Sequence, residues 1–204
     1  MKILVACEES QAVCIEFRKL GHDAYSCDTL PCSGGYPEYH LQQDVTELLL
    51  QRWDMIVAFP PCTFLCAAGA CRMYPQKGVL DKQRYDKGLL AKNLFMNLKN
   101  ANCTRIAIEN PTPLKVFELP QPSQVIQPFQ YGHPYSKRTC LWLKGLPQLI
   151  PTEIISEGVT SWIGAGSKDQ YGKRRANVGK IRNTKTRSKT FSGIASAMAE
   201  QWGG

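Results

Sequence analysis

The sequence has no long hydrophobic run, so we expect no membrane-spanning helix. Such a helix needs about 18 consecutive apolar residues, and the 204-residue chain contains no stretch of this kind. The first ten residues, MKILVACEES, reach two glutamates after only a few apolar residues. This pattern is too short for the apolar core of a secretory signal and is typical of a first β-strand. We therefore expect a cytoplasmic protein without a membrane partner.

The sequence also lacks the spacings of a zinc site. Its nine cysteines include no C-x-x-C pair. Cys62, Cys66 and Cys71 lie close together, but the spacings are C-x3-C and C-x4-C and no histidine is near. Structural zinc sites usually pair cysteines more closely. The odd number of cysteines and the missing signal sequence favour reduced thiols. We expect no metal site.

Acidic residues are almost absent from one segment near the end of the chain. Residues 168–189 contain nine Lys or Arg and one Asp, a local excess equal to the net charge of +8 of the whole chain. A solvated loop is the simpler interpretation, but so dense a run favours contact with a phosphate backbone. The side chains expected to bind nucleic acid here are Lys173, Arg174, Arg175, Lys180 and Arg182.

Hydrophobic periodicity predicts strands and helices that alternate through most of the chain. Strands are predicted over residues 2–7, 22–28, 54–59 and 105–110, with two later strands, a candidate hairpin, within 122–132 and 138–147. Helices are predicted over residues 10–21, 46–52, 82–101 and 190–203. Ser10 is the expected N-cap of the first helix. The alternation predicts an α/β domain with a Rossmann-like, mostly parallel sheet.

Chemically active residues follow nearly every predicted strand. In open α/β sheets, ligands bind beyond the carboxyl ends of the strands. The first predicted strand is followed by Cys7, Glu8 and Glu9, the second ends at Asp28, and Asp44 lies near a short edge strand. The strand at 54–59 is followed by Pro60, Pro61 and Cys62, and the strand at 105–110 ends with Glu109 and Asn110 before Pro111. One carboxylate at a strand end is often only a helix cap. Together, these side chains outline a cofactor site beside a nucleophile.

The order of these residues resembles that of the C5-cytosine-specific DNA methyltransferases over nearly the whole chain. LVACEESQAVCIEFRKLGHDAYSCD is similar to the first cofactor motif, its helix and the acidic end of the second strand. FPPC matches the nucleophile motif and IEN the glutamate motif. HPYSKRTCLWLKG resembles the arginine-bearing strand, and RSKTFSGIASAMAEQWG the C-terminal helix motif. Compact members encoded by phages and prophages resemble it most, which implies the host cytoplasm.

The resemblance implies DNA as partner and a covalent mechanism. Cys62 would add to C6 of cytosine, because a thiolate there turns C5 into an enamine-like carbon that attacks a methyl group. Glu109 would protonate N3, and Arg138 would contact O2 of the base. Lys137 is expected to contact the nucleic acid. The target cytosine would be flipped out of the duplex to reach these groups.

The resemblance further implies S-adenosylmethionine as the methyl donor. Asp28 would accept its ribose hydroxyls and Asp44 its adenine amino group, although Asp44 is also a candidate helix N-cap. The implied cofactor-binding residues are Cys7, Glu8, Glu9, Ser10, Asp28, Asp44, Phe59 and Pro60. The family's first motif is usually rich in glycine, whereas EESQ occupies that turn here. A carboxylate at this position suits the methionine ammonium group.

The chain is short for this family, whose members usually carry a large target-recognition domain. Only residues 146–189 occupy the corresponding position here. We therefore divide the chain into a catalytic and cofactor-binding core (1–145), a reduced basic target-recognition segment (146–189) and a C-terminal helix (190–204) packing back on the core. Two alternatives stay open. One is a related enzyme that modifies C5 of a free cytidine nucleotide or RNA, or uses an altered methyl donor. The other is an inactive nucleic-acid-binding module.

Overall fold

A computed structural model describes residues 1–161 and 189–204. Within these residues, seven strands form one mixed sheet in the order β3-β2-β1-β4-β5-β8-β6. They are β1 (Lys2–Ala6), β2 (Asp23–Asp28), β3 (His40–Gln42), β4 (Met55–Ala58), β5 (Ile106–Asn110), β6 (Gln124–Ile126) and β8 (Thr139–Lys144). Two short strands, β7 (Tyr135–Ser136) and β9 (Thr160–Ser161), pair separately in parallel.

The sheet is parallel from β3 to β5 and antiparallel at its other edge. Strand β1 pairs with β2 and β4, β2 with β3, and β4 with β5, all in parallel. Strand β8 is antiparallel to both β5 and β6. The prediction of an α/β fold with a mostly parallel sheet is therefore confirmed. The carboxyl ends of β1, β2, β4 and β5 lie at one edge, where ligands of such sheets bind.

Helices cover both faces of the sheet. Those among the described residues are α1 (Ala12–Lys19), α2 (Val45–Leu48), α3 (Ala70–Met73), α4 (Lys82–Lys99) and α5 (Ser192–Gly203). One core cluster joins the sheet to α1 and α5, and a second joins it to α4. Strands covered on both faces need apolar residues at successive positions, as in the continuous runs of β1 and β4. None of these helices combines the length and hydrophobicity needed to cross a bilayer.

The C-terminal helix lies against α1. Phe17 and Met198 are both fully buried in the same cluster. The indole N–H of Trp202 donates to the carbonyl of Pro147 at 3.0 Å, and the Ser196 hydroxyl donates to Glu16 at 3.4 Å. Helix α5 therefore completes the core beside the first βαβ unit.

The start of α1 differs from its prediction. Gln11, not Ser10, is the N-cap residue, and it adopts a left-handed conformation with φ of 58°. No side chain caps the helix from that position. The Glu8 carboxylate instead accepts the backbone N–H groups of Val13 at 2.7 Å and Cys14 at 3.2 Å. The free N–H groups of the first turn are thus satisfied by a residue of the preceding loop.

Two further elements are shorter than predicted. Helix α2 ends at Leu48, whose carbonyl accepts the indole N–H of Trp53 at 2.8 Å, whereas the pattern predicted a helix over residues 46–52. Strand β6 spans three residues, because Pro128 opens a 3-10 turn immediately after it. Proline has no N–H to donate to a neighbouring strand, so pairing stops before it.

Candidate active site at the carboxyl edge of the sheet

Cys62 lies in a tight turn just beyond β4. Pro60 is buried and Pro61 exposed, and the Cys62 side chain is partly exposed. The Cys62 carbonyl accepts the N–H groups of Leu65 at 3.1 Å and Cys66 at 3.0 Å. The two prolines restrict the backbone before the cysteine, and these hydrogen bonds fix it afterwards. The sulfur is therefore held at the carboxyl edge of the sheet.

Asn110 joins the end of β5 to the loop that carries Cys62. Its side-chain amide donates to the carbonyl of Pro60 at 2.9 Å, and the residue is 1% exposed. This hydrogen bond ties the strand of Glu109 to the proline turn of Cys62. The two candidate catalytic residues are thereby fixed relative to each other.

A second connection joins the loops that follow Cys62 and Glu109. The N–H of Ala67 donates to the Thr112 carbonyl at 2.8 Å, and that of Leu114 donates to the Leu65 carbonyl at 2.7 Å. Between them, Cys66 forms an isolated antiparallel bridge with Pro113. The two loops therefore move as one unit and are not independent of each other.

The pKa of the Glu109 carboxyl group is shifted upward. Burial raises the pKa of Glu109, and the nearby charge of Lys137 opposes this effect only in part. No hydrogen bond or ion pair joins this carboxyl group to another residue within the described ranges. A carboxyl group with a raised pKa is suited to act as a general acid near neutral pH.

Lys137, and not Arg138, is the cation that acts on both Cys62 and Glu109. Cys66 raises the pKa of Cys62 and burial raises that of Glu109, and the charge of Lys137 opposes each rise. Its ammonium group lies 6.0 Å from the ring centroid of Phe191. Arg138 is exposed, and its guanidinium donates to the Thr112 hydroxyl at 3.0 Å. Arg138 thus binds the loop beyond Glu109, while Lys137 provides the positive charge at the reacting groups.

Cys66 is a site residue that the sequence analysis missed. Its thiol interacts with that of Cys62, and this interaction raises the pKa of Cys62 and lowers that of Cys66. Burial raises the pKa of Cys62 further. The spacing of four residues was the available signal, because residues four apart meet on one side of a helical turn. No helix was predicted there, so the signal was not used.

Arg84 of α4 also escaped the sequence analysis, although it holds the loop after Cys62. Its guanidinium donates to the Thr63 carbonyl at 2.6 Å and lies 4.9 Å from the ring centroid of Phe64. Helix α4 begins just before it, where the Asp81 carboxylate accepts the Arg84 N–H at 2.9 Å. The loop is therefore anchored to α4 as well as to β5.

The predicted cofactor residues after β1 form a closely packed turn. Cys7 and Gln11 both have φ of 58°, so the backbone turns sharply between β1 and α1. The Glu9 carbonyl accepts the Ser33 N–H at 2.7 Å. Gly34 packs so closely on Ser10 and Gln11 that a Cβ atom would overlap them. Glu8 is 4% exposed, and burial raises the pKa of its carboxyl group to about 7.

Asp28 and Asp44 lie near the same turn. Burial raises the pKa of Cys7 to about 12. The charge of Asp28 adds to this effect, and the charges of other groups, including Asp44, add less. Asp28 accepts the N–H of Leu30 at 3.0 Å. Asp44 is the N-cap of α2 and accepts the Thr46 N–H at 2.8 Å, which lowers the pKa of its carboxyl group. The capping interpretation of Asp44 is therefore correct, and its charge still faces the cofactor residues.

Phe59 and Pro60 connect this acidic region to Cys62. The Phe59 N–H donates to the Ala6 carbonyl at 2.9 Å, and its partly buried ring packs on the core cluster of α1 and α5. Residues 1–161 and 189–204 contain no group of three His, Cys, Asp or Glu side chains placed to hold a metal ion. The predicted phosphate-binding residues Lys173, Arg174, Arg175, Lys180 and Arg182 lie outside the described residues.

No protein-family model matches the chain, and no curated protein matches it. The resemblance of its motifs to the C5-cytosine methyltransferases is therefore a hypothesis.

Proposed function

We propose that this protein is a DNA methyltransferase that uses S-adenosylmethionine to methylate C5 of cytosine. The observation that carries the proposal is the pairing of Cys62 and Glu109 at the ends of adjacent parallel strands, held by the Asn110–Pro60 hydrogen bond of 2.9 Å. Covalent addition to a pyrimidine requires a nucleophile that attacks the ring and an acid that protonates the same ring. Cys62 and Glu109 supply these two groups.

In the proposed reaction, Cys62 adds to C6 of the flipped cytosine while Glu109 gives its proton to N3. Protonation at N3 prevents a full negative charge on the ring as C5 becomes nucleophilic. Cys66 and burial raise the pKa of Cys62, and the charge of Lys137 opposes this rise. S-adenosylmethionine, when bound, supplies the electrophilic methyl group that C5 accepts. Loss of the C5 proton to water and elimination of the thiol then regenerate Cys62.

The electrostatics of the turn after β1 support a cationic cofactor. Rossmann-like folds commonly bind phosphate at the free N–H groups that begin the first helix. Here the Glu8 carboxylate already accepts two of those groups, and Asp28 and Asp44 add negative charge nearby. A dinucleotide phosphate would be repelled from this position. The sulfonium and ammonium groups of S-adenosylmethionine would suit this negative charge, and Asp28 would accept the ribose hydroxyls.

A nucleic-acid substrate is supported by charge. The excess of positive charge in residues 168–189 is enough to neutralise several phosphates. Each contact between a cation and a phosphate contributes to affinity through counterion release. Lys137 and Arg138, which directly precede β8, add positive charge beside Cys62 and Thr112. The target base must leave the stack to reach Cys62 and Glu109, so backbone contacts would hold the opened strand.

A covalent trap tests this proposal. An oligonucleotide with 5-fluorocytosine cannot lose a proton from C5, so methylation leaves the protein attached to DNA. We expect an adduct that requires S-adenosylmethionine, is absent in Cys62→Ala and persists in Cys71→Ala, since Cys71 is an exposed residue of α3. An equal adduct in Cys62→Ala would refute the mechanism. Efficient methylation of a free cytidine nucleotide without any DNA adduct would favour the small-substrate alternative.

A further inference from the structure

The turn after the candidate nucleophile brings a second thiol to it. The chain completes one helical turn between Cys62 and Cys66, closed by the hydrogen bond of 3.0 Å from the Cys66 N–H to the Cys62 carbonyl. Residues four apart on such a turn lie on the same side, with Cα atoms separated by about 6 Å along the axis. The side chains of Cys62 and Cys66 therefore lie on the same side of this turn, where each thiol shifts the pKa of the other.

The two sulfur atoms have different surroundings. Cys66 is 8% exposed and precedes the 3-10 turn Ala67–Gly69, whereas the Cys62 side chain is more accessible. The hydrogen bond from Cys62, followed by those from the Gly69 and Ala68 N–H groups, lowers the pKa of Cys66. A thiolate is the form of cysteine that reacts with oxidants. The pair therefore combines a stabilised thiolate with an accessible neighbour.

We propose that Cys62 and Cys66 form a reversible disulfide on exposure to hydrogen peroxide. The distance across one helical turn lies within the Cα separations of about 4.4–6.8 Å found in disulfides. The thiolate attacks the O–O bond, gains one oxygen as sulfenic acid and releases hydroxide, which takes up a proton. The other thiol then attacks the sulfenic sulfur, the S–S bond forms and a second water leaves. Two electrons pass from the dithiol to the peroxide.

The disulfide would switch off the site and also protect it. Cys62 in a disulfide has no thiol to add to cytosine, and a dithiol reductant restores it. A single cysteine in this position would proceed to sulfinic acid, which such reductants do not reverse. Cys66 would therefore be oxidised first, and Cys62 would resolve its sulfenic acid into the disulfide. The loss of catalysis rests on the proposed function, whereas formation of the disulfide does not.

Mass spectrometry of the full chain tests the disulfide without any activity measurement. The reduced protein is treated with a small excess of hydrogen peroxide, alkylated and digested. We expect a peptide joining Cys62 to Cys66, the loss of two hydrogen atoms from the intact mass, and full reversal by dithiothreitol. A Cys71→Ser control should form the same bond, because the pair does not involve Cys71.

The Cys66→Ser variant tests whether Cys66 protects Cys62 from irreversible oxidation by forming a disulfide with it. Its Cys62 should accumulate sulfinic acid that dithiothreitol does not reverse, while the unmodified chain recovers completely. The proposal is overturned if Cys62 of the unmodified chain becomes sulfinic acid while Cys66 stays reduced, or if Cys62 pairs with another cysteine. If the linked peptide forms but oxidation leaves S-adenosylmethionine-dependent trapping intact, the disulfide stands and the assignment of Cys62 as nucleophile fails.

Discussion

Glu109 combines a buried carboxyl group with a neighbouring cation, and the balance between them sets its protonation. Burial favours the neutral acid, and Lys137 favours the carboxylate. The first effect is the larger, so the pKa of Glu109 is raised. The acid form, which the proposed protonation of N3 requires, therefore persists to higher pH than in an exposed glutamate.

Replacing the acid tests this role directly. Glu109→Gln keeps the shape and the hydrogen-bonding capacity of the side chain but supplies no proton. A positioned general acid typically contributes about 10²–10⁴-fold to rate, so we expect a loss of that size in kcat. Cofactor affinity, measured by calorimetry on the same protein, should change little because Glu109 is not among the residues after β1 and β2. A loss of kcat below about threefold, outside that range, would remove Glu109 from the chemistry.

The position of Lys137 predicts a shift in the pH profile. Its charge lowers the pKa of both Cys62 and Glu109. Lys137→Met should therefore raise both pKa values and move the whole bell-shaped profile of turnover to higher pH. The profile is measured as methyl transfer to an oligonucleotide under saturating cofactor.

Two variants serve as controls for this shift. Lys137→Arg keeps the charge and should keep the pH optimum. Arg138→Met removes a charge from the next residue, whose guanidinium binds Thr112, and should shift the optimum less than Lys137→Met. A larger shift in Arg138→Met would identify Arg138 as the controlling cation.

At the level of elements, the sequence predicts strands better than the contacts between loops. Strands β1, β4 and β5 are buried on both faces, so their composition alone marks them as continuous apolar runs. The residues at their carboxyl ends follow from the parallel topology, which brings Cys62 and Glu109 to one edge. The pairing of Asn110 with Pro60 depends on two segments fifty positions apart, and no local pattern encodes it.

Helix α4 shows why a periodic pattern does not fix which side is buried. The pattern makes Leu89, Leu90, Phe95 and Leu98 candidate core residues, but only the last two are buried. Leu90 is 70% exposed. Gly88 lies against the ring of Phe117, with no room for a Cβ atom, so the helix turns its glycine to the core and leaves the two leucines outside. A contact with a distant phenylalanine decides the orientation.

The N-terminus of α5 is capped by a side chain that titrates. Nε2 of His133 accepts the Gly193 N–H at 3.0 Å, which requires the neutral ring. Burial lowers the pKa of His133, and Glu153 opposes this in part. Because the pKa of His133 is lowered in the folded protein, the cap formed by its neutral ring contributes fully to stability above the unfolded-state pKa of about 6.5. This contribution is lost as the pH falls through the folded-state pKa.

We therefore expect the free energy of unfolding to fall as the pH is lowered below about 6.5, by up to about 1 kcal/mol, a typical value for a cap. Urea titrations at a series of pH values measure it. His133→Gln retains an acceptor that does not titrate, so its stability should vary less over this range. Equal acid-side losses in the two proteins would show that His133 is not responsible.

In the whole molecule, the acidic region proposed for the cofactor and the basic segment proposed for DNA are different parts of the sequence. The chain carries 25 Lys and Arg against 17 Asp and Glu, and outside residues 168–189 the two signs balance. The acidic residues near the turn after β1 suit a cationic cofactor, and the basic segment suits phosphate. The proposed cofactor and the proposed DNA substrate would thus bind different parts of one short chain.

This separation predicts that DNA affinity and core stability respond independently to changes in the basic segment. Each phosphate contact removed should reduce the salt slope of binding by about one. Changing Lys173, Arg174 and Arg175 together to Ala should weaken binding to unrelated duplexes by similar factors and flatten the dependence on salt. Fluorescence anisotropy over a salt series measures this, and the midpoint of thermal unfolding should stay unchanged. Weaker binding to a single sequence would mean that the segment reads bases, and unchanged binding would place the phosphate contacts elsewhere on the molecule.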